Sequence, residues 1–313
     1  MQEVERTSTG VIAREVERAT TAPPPGEVLF RFATVSDTHI GMKGFGFWPH
    51  VVDPVTEATE PPPERCLRAA LIEAREWGAQ LIVAKGDLTQ HGTLAEAAIV
   101  AAILGGCGVP VEALVGNHEV QGDHDDLAPT FASVGITLLQ RDMRVRDVPG
   151  LRLVLLDSSV PNRHVGSYDR HGTGVPDAVG DADGPAMILT HHPPMPLPVP
   201  WFWPPGVPSP EANRFLDRVA HANPRVWLTA GHTHRHRRHQ RGTIVITEVG
   251  STHDYPGTWA GYVVHEGGVR QVVRRVAAPD AIVWTEATRR TVGGAWGRWS
   301  PGRISDRSFS HTW

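Results

Sequence analysis

Val111-Glu112-Ala113-Leu114-Val115-Gly116-Asn117-His118-Glu119 begins as a mostly apolar strand and breaks at a glycine into three polar residues. Such a segment puts its polar side chains at the carboxyl end of a buried strand, with Gly116 supplying the turn. Two earlier segments end in the same manner. Residues 28–35 are apolar and partly β-branched and lead into Ser36-Asp37, and Leu81-Ile82-Val83-Ala84 leads into Lys85-Gly86-Asp87. Helical segments separate the three. Pro63 opens a helix predicted over about 63–77, with Leu67, Ala70, Leu71, Ala74 and Trp77 on one face, and Gly78 stops it. An alanine-rich helix is predicted over about 93–104, ending at Gly105-Gly106. Strand, helix, strand, helix, strand implies parallel strands with right-handed crossovers, hence an α/β fold. In open α/β sheets ligands collect beyond the carboxyl ends of the strands. Asp37, Asp87 and Asn117 are therefore expected to be neighbours.

Downstream the pattern changes. A short helix near 126–133 precedes close-spaced strands at 136–139, 143–148 and 151–156, read as antiparallel ribbons. After a polar, glycine-rich segment at 162–184, Ala186-Met187-Ile188-Leu189-Thr190 is another buried strand, ending at His191-His192-Pro193-Pro194. The proline-crowded stretch 193–210 reads as a stiff loop. A helix at about 210–221 leads to Arg225-Val226-Trp227-Leu228-Thr229-Ala230, which ends at Gly231-His232-Thr233-His234. Residues 243–249, 261–265 and 269–276 read as a closing meander.

The chain divides into three regions: 1–27, an arm or frayed helix; 28–277, the main domain; and 278–313, an extension rich in arginine and tryptophan. The extension holds Trp284, Trp296, Trp299 and Trp313. It has three readings: a wrap around the domain, a contact with a partner or with a second copy in a homodimer, or a contact to an anionic substrate.

Composition narrows the class. At 313 residues, 40% hydrophobic and 20% charged, the chain is of ordinary globular type. Its formal charge of −4 gives no electrostatic reason to expect nucleic acid. The 2 cysteines, Cys66 and Cys107, cannot make a disulfide framework, and a reduced cytoplasmic setting is expected. The first residues carry several acids and no long apolar run, so no signal peptide is read there. No stretch approaches the roughly 20 apolar residues of a membrane span.

The unusual figure is 17 histidines. Five short motifs carry ligand-type side chains at strand ends: Asp37-Thr38-His39, Gly86-Asp87, Gly116-Asn117-His118-Glu119, His191, and Gly231-His232-Thr233-His234. Each alone is an ordinary turn or cap. Five in order, each after a buried strand, point to one site. Alternate residues of an extended chain face the same way, so Asp37 and His39, and likewise His232 and His234, can share an ion. Glycine before Asp87, Asn117 and His232 permits sharp turns and close approach. Mixed nitrogen and oxygen donors without thiolate favour Mn, Fe, Zn, Co or Ni, and the excess of histidine argues against a pure Mg or Ca site. Seven such donors suit two ions, with one carboxylate between them.

The ordered set, from Asp37 to about Ser251, resembles the calcineurin-like metallophosphoesterase superfamily, whose pattern is D-x-H, G-D, G-N-H-[DE], H and G-H-x-H. It is most similar to the bacterial class III cyclic nucleotide phosphodiesterase-like branch. The serine/threonine phosphatase branch is less similar: it carries an arginine shortly after G-D, where this chain has Leu88-Thr89-Gln90-His91-Gly92. The resemblance implies a four-layer α/β/β/α sandwich with N- and C-terminal extensions. It implies that Asp37, His39 and His234 hold one metal, that Asn117, His191 and His232 hold the other, and that Asp87 bridges them. His192 then packs behind the site. His118 faces the substrate, and Glu119 is expected to orient it.

The activity so implied is hydrolysis of a small phosphodiester or phosphomonoester, a nucleotide among the candidates, by in-line attack of a hydroxide bridging two divalent or transition ions, with Mn, Fe or Zn foremost. Asn117 would help neutralise phosphoryl charge, and His118 would protonate the leaving oxygen. The alternatives are a nuclease and a non-catalytic phosphoesterase-fold scaffold. Phe47, Trp48, Trp201 and Trp203 have two readings, stacking a nucleobase or covering an apolar moiety, or anchoring their own loops, and Arg163, Arg170 and Arg235 are candidates to grip a second phosphate.

Overall fold

The computed structural model describes residues 3–7, 10–14, 21–45, 51–121, 126–195 and 204–313. Phe47, Trp48, Trp201 and Trp203 lie outside the described residues. Strands β1 (Glu3–Thr7) and β2 (Gly10–Arg14) pair as an antiparallel hairpin, where the sequence suggested an arm or frayed helix. The main body runs β3 (Val28–Val35), α1 (Pro62–Glu76), β4 (Ile82–Lys85), α2 (Leu94–Gly105), β5 (Val111–Leu114), α3 (Ala128–Ala132), β6 (Thr137–Leu139), β7 (Met143–Val148) and β8 (Leu151–Leu156). It continues through α4 (Val175–Gly180), β9 (Ala186–Thr190), α5 (Ser209–Ala222), β10 (Val226–Ala230), β11 (Arg237–Arg241), β12 (Ile244–Glu248), β13 (Thr258–His265) and β14 (Gly268–Arg275). The chain closes with α6 (Pro279–Thr288), α7 (Trp296–Trp299), α8 (Ile304–Arg307) and β15 (Phe309–Thr312).

Local chemistry explains the helices that frame the first sheet. Prolines occupy the opening positions of α1, where the missing N–H costs nothing. A reciprocal capping box opens α2: the Glu96 amide donates to Thr93 Oγ1 at 3.2 Å, and the Thr93 amide donates to Glu96 Oε2 at 3.4 Å.

Two mixed sheets stack face to face. One has 7 strands in the order β15-β14-β13-β3-β4-β5-β6, the other 6 in the order β11-β12-β10-β9-β8-β7. Their shared interface is apolar, with Phe32, Leu114, Met187, Trp227 and Tyr262 in one cluster. A second cluster seats α1, α2 and α6 on the outer face of the 7-stranded sheet, and a third seats α4 and α5 on the outer face of the other. The result is an α/β/β/α sandwich. Among the described residues, no helix is long and apolar enough to cross a membrane.

Three expectations need correction. The strand at 137–139 does not join the ribbon that follows it; β6 extends the first sheet, parallel to β5. The second sheet is parallel at its centre, through β8, β9, β10 and β12, and antiparallel only at its rims. The closing meander is split between sheets: β12 pairs with β10, whereas β13 returns to lie antiparallel to β3. Pattern alone marks these strands as buried. Which sheet a strand enters depends on the connections, and the crossing made by residues 249–257 leaves no periodic signal.

Residues beyond 278 are packed into the body. β15 adds an edge strand to β14, and Trp284 is 1% exposed with its indole N–H on the His253 carbonyl. The His236 amide donates to the Ser300 carbonyl at 3.0 Å.

Candidate metal centre

All five motifs lie at carboxyl ends of strands β3, β4, β5, β9 and β10, and there the backbone is bent hard. Asp37, His39, Asp87, His232 and His234 have φ of +53°, +46°, +49°, +70° and +50°. Left-handed backbone at a residue with a side chain costs on the order of 1 kcal/mol or more, and it persists where surrounding bonds hold it. Here the loops hold one another. The amides of Asp37, His39 and Ile40 donate to the carbonyls of Gly86, Asp87 and Leu88 at 3.0, 3.0 and 2.9 Å, and the His232 amide donates to Asp37 Oδ1 at 2.9 Å. The paired ligands of Asp-x-His and His-x-His thus do not share a side because the chain is extended, as their alternation suggested. Each is turned inward by its own left-handed residue.

The motif glycines make room. A methyl group on Gly116 would lie 2.3 Å from Asp87 Oδ1, one on Gly231 2.0 Å from Ser36 Oγ, and one on Gly86 2.7 Å from both the Gly116 nitrogen and His191 Nδ1. Of the three, only Gly86 also needs positive φ, at +85°. At the other two positions clearance, rather than backbone freedom, requires glycine.

Histidines of the site share one design: one ring nitrogen is tied to an oxygen and the other is left free, in His39, His191, His232 and His234 as in His118 and His192. His39 Nδ1 lies 2.9 Å from Gln90 Oε1, His191 Nδ1 2.8 Å from the Lys85 carbonyl, and His234 Nδ1 2.9 Å from Asp254 Oδ2. Carbonyl and carboxylate oxygens only accept, so these Nδ1 atoms carry hydrogen and Nε2 presents a lone pair in the neutral ring. His232 is reversed, with Nε2 3.2 Å from the Pro205 carbonyl and Nδ1 facing inward. His39 Nε2 and His234 Nε2 face each other at 3.1 Å. Two such lone pairs repel unless a proton or a cation lies between them. Asp37 Oδ1 is 3.5 Å from His234 Nε2.

On the other side, Asn117 Oδ1 and His232 Nδ1 are buried with no hydrogen-bond partner among the described residues. His191 Nε2 meets Asp87 Oδ2 at 3.1 Å. Buried polar atoms left unpaired cost about 1–3 kcal/mol each, so native proteins seldom leave them without a purpose. Asp87 Oδ2 is also 4.0 Å from His39 Nε2, which puts it between the two groups. The donor set, with its orphaned lone pairs, fits metal ions.

Electrostatics follow burial and neighbours. Burial, with His118 and His234 nearby, holds His39 well below the usual histidine range, and burial beside His191 lowers His232 to about 3. His191 and His234 go the other way: burial opposes their protonation, but Asp87 lifts the first, and Asp254 with Asp37 the second, to about 9. Burial also opposes the Asp87 carboxylate, yet His191, His118 and His39 hold it well below the ordinary carboxylate range. Burial raises Asp37.

His118 is half-buried beside His39, with ring centroids 4.6 Å apart. Its amide donates to Asp87 Oδ1 at 2.9 Å, and its Nδ1 lies 2.7 Å from the Gln90 carbonyl, leaving Nε2 for the cleft. Glu119 does not orient it. That carboxylate instead accepts from the Thr89 amide and hydroxyl, both at 2.8 Å, and from the Gly116 amide at 2.7 Å, clamping the Asp87 and Asn117 loops together. His192 is buried, with Nδ1 2.9 Å from Ser158 Oγ. Arg235 stacks on the Trp299 ring at 3.8 Å.

Sequence reasoning missed Gln90, Lys85 and Asp254. Lys85 is fully buried behind the site, donating to the Ala230 carbonyl at 2.8 Å and Thr229 Oγ1 at 3.2 Å, and burial lowers its pKa to about 7. A lysine ending an apolar strand was the available signal. Asp254 follows His253 in a turn with no motif around it, and nothing local marks it.

The family model for calcineurin-like phosphoesterases matches residues 30–236. Among curated proteins, the chain is 30% identical over 175 residues to a 3′,5′-cyclic adenosine monophosphate phosphodiesterase, CpdA, of Pseudomonas aeruginosa, covering 55% of this chain and 60% of that one. It is 34% identical over 173 residues to a probable cyclic nucleotide phosphodiesterase of Rhodococcus erythropolis, covering 52% of each. The chain thus spans about half to three fifths of the length of these curated relatives. Among solved structures, it resembles a purple acid phosphatase of yellow lupin (TM-score 0.55, 12% identity, 82% of this chain and 52% of that). It also resembles a protein of Staphylococcus aureus described as a putative 5′-nucleotidase (TM-score 0.52, 13% identity, 82% and 58%). At such identities the likeness is one of fold alone.

Proposed function

The chain belongs to the calcineurin-like phosphoesterase family, and from that premise we propose that it is a metal-dependent hydrolase of small phosphodiesters, cyclic nucleotides first among them. The observation that carries the reading is the shared orientation of four histidines, each tied through one nitrogen and open through the other. In this assignment Asp37, His39 and His234 would hold one ion and Asn117, His191 and His232 the other. Asp87, whose Oδ2 approaches a donor of each group, would serve both. When bound, such ions lower the pKa of water and polarise a phosphoryl oxygen.

The remaining work falls to the chain. Gln90 and Asp254 fix the ring orientation of His39 and His234, and the carbonyls of Lys85 and Pro205 do the same for His191 and His232. Hydrolysis adds water across the P–O bond: phosphorus gains an oxygen and the leaving alkoxide gains a proton. His118 Nε2 supplies that proton, because the Gln90 carbonyl occupies its other nitrogen and the ring has access to solvent. General-acid assistance of this kind is worth about 10²–10⁴-fold. The two curated relatives named as cyclic nucleotide phosphodiesterases support the substrate class.

The test is metal analysis of purified protein, followed by turnover of 3′,5′- and 2′,3′-cyclic nucleotides, bis-p-nitrophenyl phosphate and p-nitrophenyl phosphate with Mn supplied. Two ions per chain and preference for a cyclic nucleotide or diester are expected. Protein that binds no metal would sink the reading, and preference for the monoester would move it to a phosphatase.

A further inference from the structure

We propose that Trp296 and Phe45 form an aromatic wall at the mouth of this site, against which the flat, base-bearing part of the substrate stacks. The C-terminal extension then sets which phosphoesters are accepted. The inference rests on the phosphoesterase reading and deepens it by naming a nucleobase-bearing ester.

Rings beside the centre form a closed series of five, with His118 joined to it at His39. His118 lies 4.6 Å from His39, His39 5.0 Å from His234, His234 6.1 Å from Trp296, Trp296 5.4 Å from Phe45, Phe45 5.8 Å from His253, and His253 5.3 Å from His39, all between centroids. Two members are closed to solvent, His39 at 3% exposed and His253 at 0%. The other four, His118, His234, Phe45 and Trp296, are half-buried. The rings that keep contact with solvent thus include the proposed proton donor, the His234 ring and the two aromatic rings. Trp296 adjoins the ring of His234, a proposed donor to one ion, so it stands one ring away from the phosphoryl site.

Trp296 is held there by more than its own packing. The tail docks on the residues that follow His234, in step with them. Trp296 meets the His234 ring, Trp299 lies under the Arg235 guanidinium at 3.8 Å, and the Ser300 carbonyl accepts the His236 amide at 3.0 Å. Ser300 Oγ in turn donates to the Trp296 carbonyl at 2.9 Å. Phe45 comes from a different insertion, after β3, and meets Trp296 at 54°. Rings fixed in this way present area to a ligand at little further loss of entropy, and every base has a π-face to offer them.

The experiment measures binding, so it does not depend on turnover. AMP and ribose 5-phosphate are titrated calorimetrically into Mn-supplemented wild type, W296A, W296F and F45A, with hydrolysis of 3′,5′-cyclic AMP followed in parallel. Wild type should prefer AMP by about 10-fold or more, the scale of one base–aromatic stack. W296A should lose most of that preference while binding ribose 5-phosphate as wild type does, W296F should keep most of it, and F45A should fall between. An unchanged preference in W296A, or equal weakening of both ligands in W296A and W296F, overturns the wall. Intact AMP preference in a protein that hydrolyses no phosphoester would keep the wall and remove the catalytic reading.

Discussion

The two donor groups of the centre are built differently. In the group of Asp37, His39 and His234, the histidines are oriented by side chains, Gln90 and Asp254, and their inward nitrogens face each other at 3.1 Å. In the group of Asn117, His191 and His232, the two histidines are oriented by backbone carbonyls, and Asn117 Oδ1 and His232 Nδ1 have no hydrogen-bond partner among the described residues. The first group keeps some contact with solvent, with the His234 side chain 14% exposed, whereas His191 is sealed. A group set by side chains can be detuned by one substitution that spares the fold. A group set by backbone carbonyls can be changed only by moving main chain: the end of β4 at Lys85 for His191, and the loop before α5 at Pro205 for His232.

Substitutions break or sharpen this contrast. Asp87→Ala removes a carboxylate that approaches donors of both groups, so both ions should be lost and kcat/KM should fall by at least about 10³-fold, a conservative share of the several kcal/mol such centres supply. Metal analysis of the purified variant checks it, and retention of two ions would show that the groups do not depend on a shared ligand.

His118→Ala should keep both ions and lose about 10²–10⁴-fold in kcat. Unchanged turnover of an alkyl diester, whose leaving group needs a proton, would remove His118 from the mechanism.

Asp254→Ala touches only the side-chain-oriented group. Metal affinity should drop about 10- to 100-fold at one of the two sites and stay put at the other, as read by competition with a chelating dye. Equal weakening at both sites would erase the contrast. Gln90→Ala should do the same at the low end, about 10-fold, because its backbone carbonyl still serves His118. A large loss of turnover at saturating metal would mean that the Gln90 side chain acts on His118 after all.

How much of this was legible in the chain differs from residue to residue. Strand ends at Asp37, Asp87, Asn117, His191 and His232 could be read because buried strands are marked by apolar runs and glycine stops, and an α/β topology sends such ends to one edge. Glu119 was misread because adjacency suggested that it serves His118, whereas the carboxylate reaches Thr89 in another loop. Asp254 was invisible, since its partner His234 lies 20 residues earlier and no pattern links them. The role of Trp296 was invisible for the same reason: indole and arginine content marks a sticky segment without saying what it sticks to.

The sequence by itself determined the α/β class, the candidate donor residues and the order in which they arrive, because these follow from local periodicity, turn chemistry and ligand type. Tertiary structure alone decided the left-handed turns that aim Asp37, His39, Asp87, His232 and His234 inward, the sharing of strands between two sheets, and the docking of residues 296–300 onto the loop after His234. Those features are fixed by hydrogen bonds and contacts between segments distant in the chain. No residue carries such contacts in its own identity, so they exist only once the segments have met.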